Sequence, residues 1–209
     1  MRFFIALIMV ILPLIACAES KTAKPEFVEG QDYTVIPGQP KPPKTGKITA
    51  TEFYWYGCGH CYKFESLVKK WKKTLADDVE FSASPAIWRP AMRTHAKLYY
   101  TAQSMGVLDK LHQVFFESMH LKGMRLVDLA EIEKVVSEHG VDGKVFVSTM
   151  ESFAVDAQVK LADSRQKNFR ISATPEMVVA DYYHVKTKGS QKRMLEVVDF
   201  LIEKLRSER

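Results

Sequence analysis

One junction restricts this chain more than any other stretch. Residues 49–56 are a β-preferring, aromatic run that reads as a buried strand, and the run stops at Gly57. Cys58-Gly59-His60-Cys61 follows at once, and from Cys61 the apolar residues Phe64, Val68, Trp71 and Leu75 recur three and four positions apart. That spacing predicts a helix, apolar along one face, running to about Ala76. Two sulfurs therefore sit where a strand turns into a helix, Cys58 at the open N-terminus and Cys61 one turn inside, on the apolar side.

The placement has chemical consequences. A helix's first turn carries unpaired N–H groups and the positive end of the macrodipole, and both favour an anion. A thiol there ionises more readily, and the thiolate is the form that attacks disulfides. A protonated His60 adds positive charge beside the Cys58 sulfur. Cys61 lacks this help and is expected to be a buried thiol that closes an intramolecular disulfide. The spacing predicts a redox pair with unequal members.

Other readings of the motif fit less well. Structural zinc takes four ligands, usually from a second pair, and the one remaining cysteine is Cys17, in a segment expected to be removed or lipidated. Attachment of a c-type haem needs His directly after the second Cys, where this chain has Tyr62. A structural disulfide closing so short a loop constrains little of the unfolded chain. Neither a metal nor a cofactor is expected beyond the Cys58–Cys61 disulfide itself.

The N-terminus has the character of an export signal over residues 1–18: Arg2, then an apolar run over 3–15 that is short for a membrane span. Ala16-Cys17-Ala18 fits ordinary signal cleavage, whereas Leu14-Ile15-Ala16-Cys17 resembles a bacterial lipobox, which would make Cys17 a lipidation site. Either outcome exports the chain to an oxidising compartment. At 209 residues it is long enough for one core or one domain with a large insertion. The net charge of +5 is spread out; the densest cluster, Lys69, Lys70, Lys72 and Lys73, reads as a solvated helix face, and no nucleic-acid partner is expected.

Residues 19–47 read as a proline-rich linker, with an edge strand within 28–35. A second strand is expected near 79–83. Between Pro90 and Pro175 there is no proline, and helical patterns over 92–105, 108–121, 128–139, 144–150 and 153–169 are broken at Gly106, Gly123 and Gly140. Asp128 to Glu131 has the form of a capping box. The histidines of this block, His95, His112, His120 and His139, share no ligand spacing and are expected to be ordinary surface or helix-end residues. Strands at 176–180 and 182–186 and a helix over 190–206 close the chain.

That order, with Cys-x-x-Cys at the first junction and Thr174-Pro175 before the third core strand, resembles a thioredoxin fold carrying a helical insertion. More specifically, the chain resembles the DsbA family of bacterial periplasmic thiol:disulfide oxidoreductases from about Val28 to the last helix. Phe53-Tyr54-Trp55-Tyr56-Gly57-Cys58, Cys61-Tyr62-Lys63-Phe64-Glu65, Met105-Gly106-Val107 and Ala173-Thr174-Pro175 carry the resemblance. It implies an α/β chain with a thioredoxin-like domain over 48–84 and 171–209 and an inserted helical subdomain over 85–170. Gly59-His60 departs from the Pro-His best known in this family and is shared with protein disulfide isomerases, which bears on redox potential more than on reaction type.

The resemblance also implies roles. Cys58 is the attacking and accepting sulfur and Cys61 the resolving one. Pro175 follows a cis bond that brings the Thr174 backbone beside the sulfurs to pair with substrate. Glu52 matches a buried carboxylate that relays protons to Cys61, although no lysine partner for it is evident near 81–84, and Glu65 is expected to be surface charge. The implied activity is donation of the Cys58–Cys61 disulfide to exported proteins with free thiols, in the periplasm, soluble or lipid-anchored, with a DsbB-type membrane protein as reoxidant. Two other activities fit the same residues: a disulfide isomerase or reductase kept as a dithiol, and a lipid-anchored chaperone without redox turnover that uses a groove near Trp55, Tyr56 and Trp88.

Overall fold

The strand that leads to the cysteines is buried along almost its whole length. The computed structural model describes residues 27–186 and 189–209; the export segment and Cys17 lie outside them. A mixed five-stranded sheet is formed by β1 (Tyr33–Val35), β2 (Ile48–Tyr54), β3 (Val79–Pro85), β4 (Glu176–Val179) and β5 (Tyr183–Val185), in the order β1-β5-β4-β2-β3. β2 runs parallel to β3 and antiparallel to β4, and six of its seven residues are buried, as expected of a strand covered on both faces. β1 adds an antiparallel edge to β5.

Helix α1 (Gly59–Trp71) makes the crossover from β2 to β3. It stops at Trp71 rather than near Ala76: a 3-10 turn over Lys72–Thr74 follows, and Leu75 is already extended. Its apolar stripe of Phe64, Val68 and Trp71 packs with Met194, Val198 and Leu201 of the closing helix, which here is the seventh, α7 (Gln191–Ser207). Trp71 Nε1 donates to Asp199 at 2.7 Å and so ties the two helices together. On the sheet's other face, Phe53 and Val178 pack with Ile36, Phe169 and Ile171.

Between β3 and β4 the chain folds into α2 (Pro90–Ser104), α3 (Leu108–His120), α4 (Leu129–Glu138), α5 (Gly143–Met150) and α6 (Phe153–Asn168). Gly106, Gly123 and Gly140 all have positive φ and end the helices before them. The capping box forms only in half. Asp128 accepts from the N–H groups of Ala130 and Glu131, but the Glu131 carboxylate takes the N–H of Leu126 at 2.6 Å. Leu126 is fully buried in a left-handed conformation, so its N–H has the stronger need of a partner.

The core of this helical block is continuous with the end of β2. Tyr54, Tyr56 and Cys61 belong to the same apolar cluster as Leu98, Phe115, Phe116 and Phe146. The insertion thus covers the buried side of the strand–helix junction.

Candidate active site

Cys58 is the N-cap of α1, in extended conformation (φ −90°, ψ 112°), and its Sγ accepts from the Cys61 N–H at 3.3 Å. The cysteines are unbridged, so the geometry is that of the dithiol form. Cys58 is half-buried, whereas Cys61 is fully buried. This asymmetry separates their acidities. A hydrogen bond from the Cys61 thiol, aided by the Thr174 side chain and the N–H groups of Cys61 and His60, lowers the Cys58 pKa to about 5 against the opposing effect of partial burial. Burial, the Cys58 sulfur and the nearby Glu52 push the Cys61 thiol far up instead. What His60 brings to the sulfur is its main-chain N–H; its ring is exposed.

The chain's second approach to the sulfurs comes from the segment before β4. The Thr174–Pro175 peptide bond is cis, and the Thr174 carbonyl accepts from the Cys58 thiol at 3.3 Å. Glu52 lies in β2, opposite Ala83 and Met177 on the flanking strands. Burial, then Glu65 and Cys58, raise its carboxyl well above the usual range, and among the described residues its Oε1 has no hydrogen-bond partner. A cleft of about 620 Å³ reaches Glu52; Glu65, Lys72, Phe81 and His112 are among its walls, and Thr174 is not.

The chain matches the DSBA-like thioredoxin domain family over residues 76–196, a stretch that begins downstream of both cysteines. It is 34% identical over 180 residues to a thiol:disulfide interchange protein DsbA of Azotobacter vinelandii, covering 85% of this chain and 84% of that one. The crystal structure of Pseudomonas aeruginosa DsbA superposes with a TM-score of 0.81 at 32% identity, over 87% of this chain and 96% of that one. DsbA from Xylella fastidiosa gives 0.79 at 31% identity, over 88% and 99%. The chain belongs to the DsbA family. By that membership it is a thiol:disulfide oxidoreductase with a thioredoxin fold and a helical insertion.

Two of the four histidines in this DsbA-type insertion, His95 and His112, depart from expectation. His95, in the middle of α2, is buried: its Nδ1 accepts from Trp55 Nε1 at 2.7 Å and its Nε2 donates to the Arg125 carbonyl at 2.9 Å. Because the indole can only donate, these partners fix the tautomer. On α3, His112 bonds Tyr56 Oη at 2.8 Å and faces Glu65 at 3.3 Å, and His120 Nε2 bonds the Tyr56 carbonyl at 2.8 Å. The 112, 116, 120 spacing, one face of α3, is the signal in the sequence that points to this grouping. His139, at the C-cap of α4, and His120, the last residue of α3, are the helix-end residues expected.

Two further expectations are corrected, and Glu52 gains a cationic neighbour from outside 81–84. Tyr56 is fully buried against Tyr54, Phe115 and Phe116, so it lines no surface groove with Trp88. Glu65 is partly covered and pairs with His112 rather than standing as free surface charge. The lysine facing Glu52 is Lys72, from the turn after α1: its Nζ lies over the Phe81 ring, 4.9 Å from the centroid, and its charge opposes the rise at Glu52. It stays exposed, like Lys69, Lys70 and Lys73, so that cluster is the solvated face expected of it. Tightening of the chain into a 3-10 turn, which the lysine run does not reveal, directs Lys72 toward β3.

Proposed function

We propose that this protein donates a Cys58–Cys61 disulfide to exported proteins that carry free thiols. A substrate thiolate attacks Cys58 Sγ, the Cys58–Cys61 bond breaks, and Cys61 leaves and takes a proton. A second substrate thiolate then attacks the substrate sulfur of the mixed disulfide, and Cys58 leaves as a thiolate. The substrate loses two electrons and the pair gains them, so no cofactor beyond the pair is required. In this reading Glu52, kept protonated by burial, is the relay that supplies Cys61, and Lys72 tempers it. The edge of Thr174 beside Pro175 receives the extended substrate, and His60 lends its main-chain N–H to the thiolate.

The single observation that carries the direction of transfer is the place of Cys58 Sγ at the N-cap of α1, where it accepts the Cys61 main-chain N–H at 3.3 Å. Whatever stabilises the thiolate stabilises the reduced pair, and so makes the disulfide easier to give away. Donation suits an oxidising compartment, so we place the protein in the periplasm, exported by residues 1–18 and either released or held by a lipid on Cys17. No helix among the described residues is long and apolar enough to cross a membrane. A donor must be recharged, and a DsbB-type membrane oxidant is the partner that this reading calls for.

Equilibration in glutathione buffers tests it. The pair should be largely dithiol in mixtures that leave ordinary structural disulfides intact. A pair that stays oxidised in those mixtures would overturn the direction of transfer.

A further inference from the structure

A second buried acid lies directly after the cis bond and is not used by the exchange steps above. Glu176 opens β4 and His184 sits in β5; both are almost fully buried, and Glu176 Oε2 bonds His184 Nε2 at 2.9 Å. The same carboxylate accepts the Ser172 main-chain N–H at 3.0 Å on Oε2 and the Ser172 hydroxyl at 3.3 Å on Oε1. Three donors on one carboxylate close a ring that runs from Ser172 to Glu176. That ring contains Thr174 and Pro175, and the Thr174 carbonyl is in contact with Cys58 Sγ.

The surroundings argue against a role in stability alone. The pair shares its face of the sheet with Ile36, Phe53, Phe169, Ile171 and Val178, an apolar layer in which a leucine at position 176 would pack. Burying two ionisable groups there brings a desolvation penalty that their attraction seldom exceeds by much, and apolar replacements of such pairs are often neutral. What a carboxylate provides and leucine does not is direction: it fixes two groups of Ser172 at once, from beneath a loop whose outer residues, Ser172 and Ala173, are exposed. A loop anchored at one end only by the sheet would be free to shift by the small distances that matter to reacting groups.

We propose that Glu176, held by His184, is a positioning residue of the exchange reaction. It sets the loop from Ser172 to Pro175 against Cys58, and so governs docking of extended peptide thiols rather than reaction with small ones. The proposal rests on the reading of Thr174 as the edge that receives substrate.

Purified Glu176→Leu and Glu176→Gln proteins, compared with wild type, test it by three readouts. With a reduced peptide as substrate, KM for E176L should rise about fivefold or more, while its rate with reduced glutathione stays within about twofold of wild type. E176Q should behave as wild type, since its amide oxygen, in the place of Oε2, can accept from both the Ser172 N–H and His184 Nε2, and its NH₂, in the place of Oε1, can donate to the Ser172 hydroxyl. Independently of turnover, the ultraviolet titration of the Cys58 thiolate should shift upward in E176L and not in E176Q. Equal peptide KM and an unmoved thiolate titration in E176L would overturn the proposal. If E176L does not fold, His184→Leu carries the same comparison, with a peptide KM rise of about twofold expected and an unchanged value overturning it. Wild type that oxidises neither thiol would sink the proposed function, and the thiolate titration would still decide whether Glu176 positions the loop.

Discussion

The main-chain N–H of Cys61 points at the sulfur of Cys58 from 3.3 Å, so the resolving residue is also a donor to the attacking one. Its thiol is a second donor, and the largest single cause of the lowered Cys58 pKa. Cys61 is thus both the partner that closes the disulfide and part of the apparatus that makes the open form comfortable.

That double role can be measured. Thiolate absorbance should titrate with a midpoint near 5 in the reduced protein, and Cys61→Ala should raise that midpoint because the largest lowering cause is removed. The redox potential should follow. Above pH 5 the reduced pair carries one proton, so the potential should fall by about 30 mV per pH unit; below it, with two protons, by about 60 mV. A slope of about 60 mV through pH 7 would mean that Cys58 is protonated there and would contradict the site described above.

Stability should depend on pH in a direction fixed by the same sulfur. The folded Cys58 pKa is depressed from 9.0 to about 5, so its contribution to the reduced protein is complete above the ordinary thiol range and is lost as pH falls through about 5. A depression of that size corresponds to about 5 kcal/mol for a fully shielded group. Cys58 is half exposed, and screening leaves on the order of 2–3 kcal/mol. Cys61 acts in the opposite sense: its thiol is pushed up, so stability declines again once the unfolded chain ionises it at high pH. Thermal melts of the reduced protein should therefore gain about 5–10 °C between pH 4 and 8 beyond any change in the oxidised form. Equal pH profiles for the two forms would rule the effect out.

Gly59→Pro should be tolerated and mildly stabilising. Gly59 is the first residue of α1, where proline's missing N–H costs nothing, and a Cβ there meets nothing within 4 Å. Cys58 is already extended, as a residue before proline must be. The N–H donors to Cys58 come from His60 and Cys61, so neither is removed. A gain of about 0.4–1 kcal/mol in denaturant unfolding is expected. A loss of stability would show that Gly59 holds a conformation closed to proline.

Much of this site is legible in the amino-acid sequence. The unequal pair can be read because Cys-x-x-Cys meets a helix start, and helix starts have a known electrostatic sign. The strands and helices fall close to their expected ranges because their apolar periods are long and their breaks are glycines. What stays hidden are relations that the fold alone makes adjacent. Glu176 and His184 are eight residues apart across a tight turn, and nothing in their spacing shows that both point into one apolar layer. Lys72 is one of four lysines around Trp71, and only the tightening of the chain after α1 distinguishes it. His95 is separated from Trp55 by the whole of α1 and β3, so no local pattern foretells their bond.

The bond between Trp55 and His95 makes Gly57 hard to replace. A Cβ added at Gly57 would fall inside the van der Waals envelope of the Trp55 ring, so in Gly57→Ala either the loop or the indole must move. The indole is not free to move cheaply: its N–H is held by His95 at 2.7 Å, the two rings stack with an interplanar angle of 20°, and His95 is itself fixed to the Arg125 carbonyl. Displacing Trp55 leaves a buried acceptor on His95 unpaired, at a cost of about 1–3 kcal/mol. Displacing the loop instead shifts Cys58, the next residue. Gly57→Ala should therefore lower unfolding stability by about 1–3 kcal/mol and raise the Cys58 thiolate midpoint together. Trp55→Leu in the same protein should return the thiolate midpoint, because the obstacle is gone, but not the stability, because His95 Nδ1 then has no donor. If Gly57→Ala leaves stability and titration unchanged, the indole does not constrain the loop, and the Trp55–His95 bond is a feature of the insertion alone.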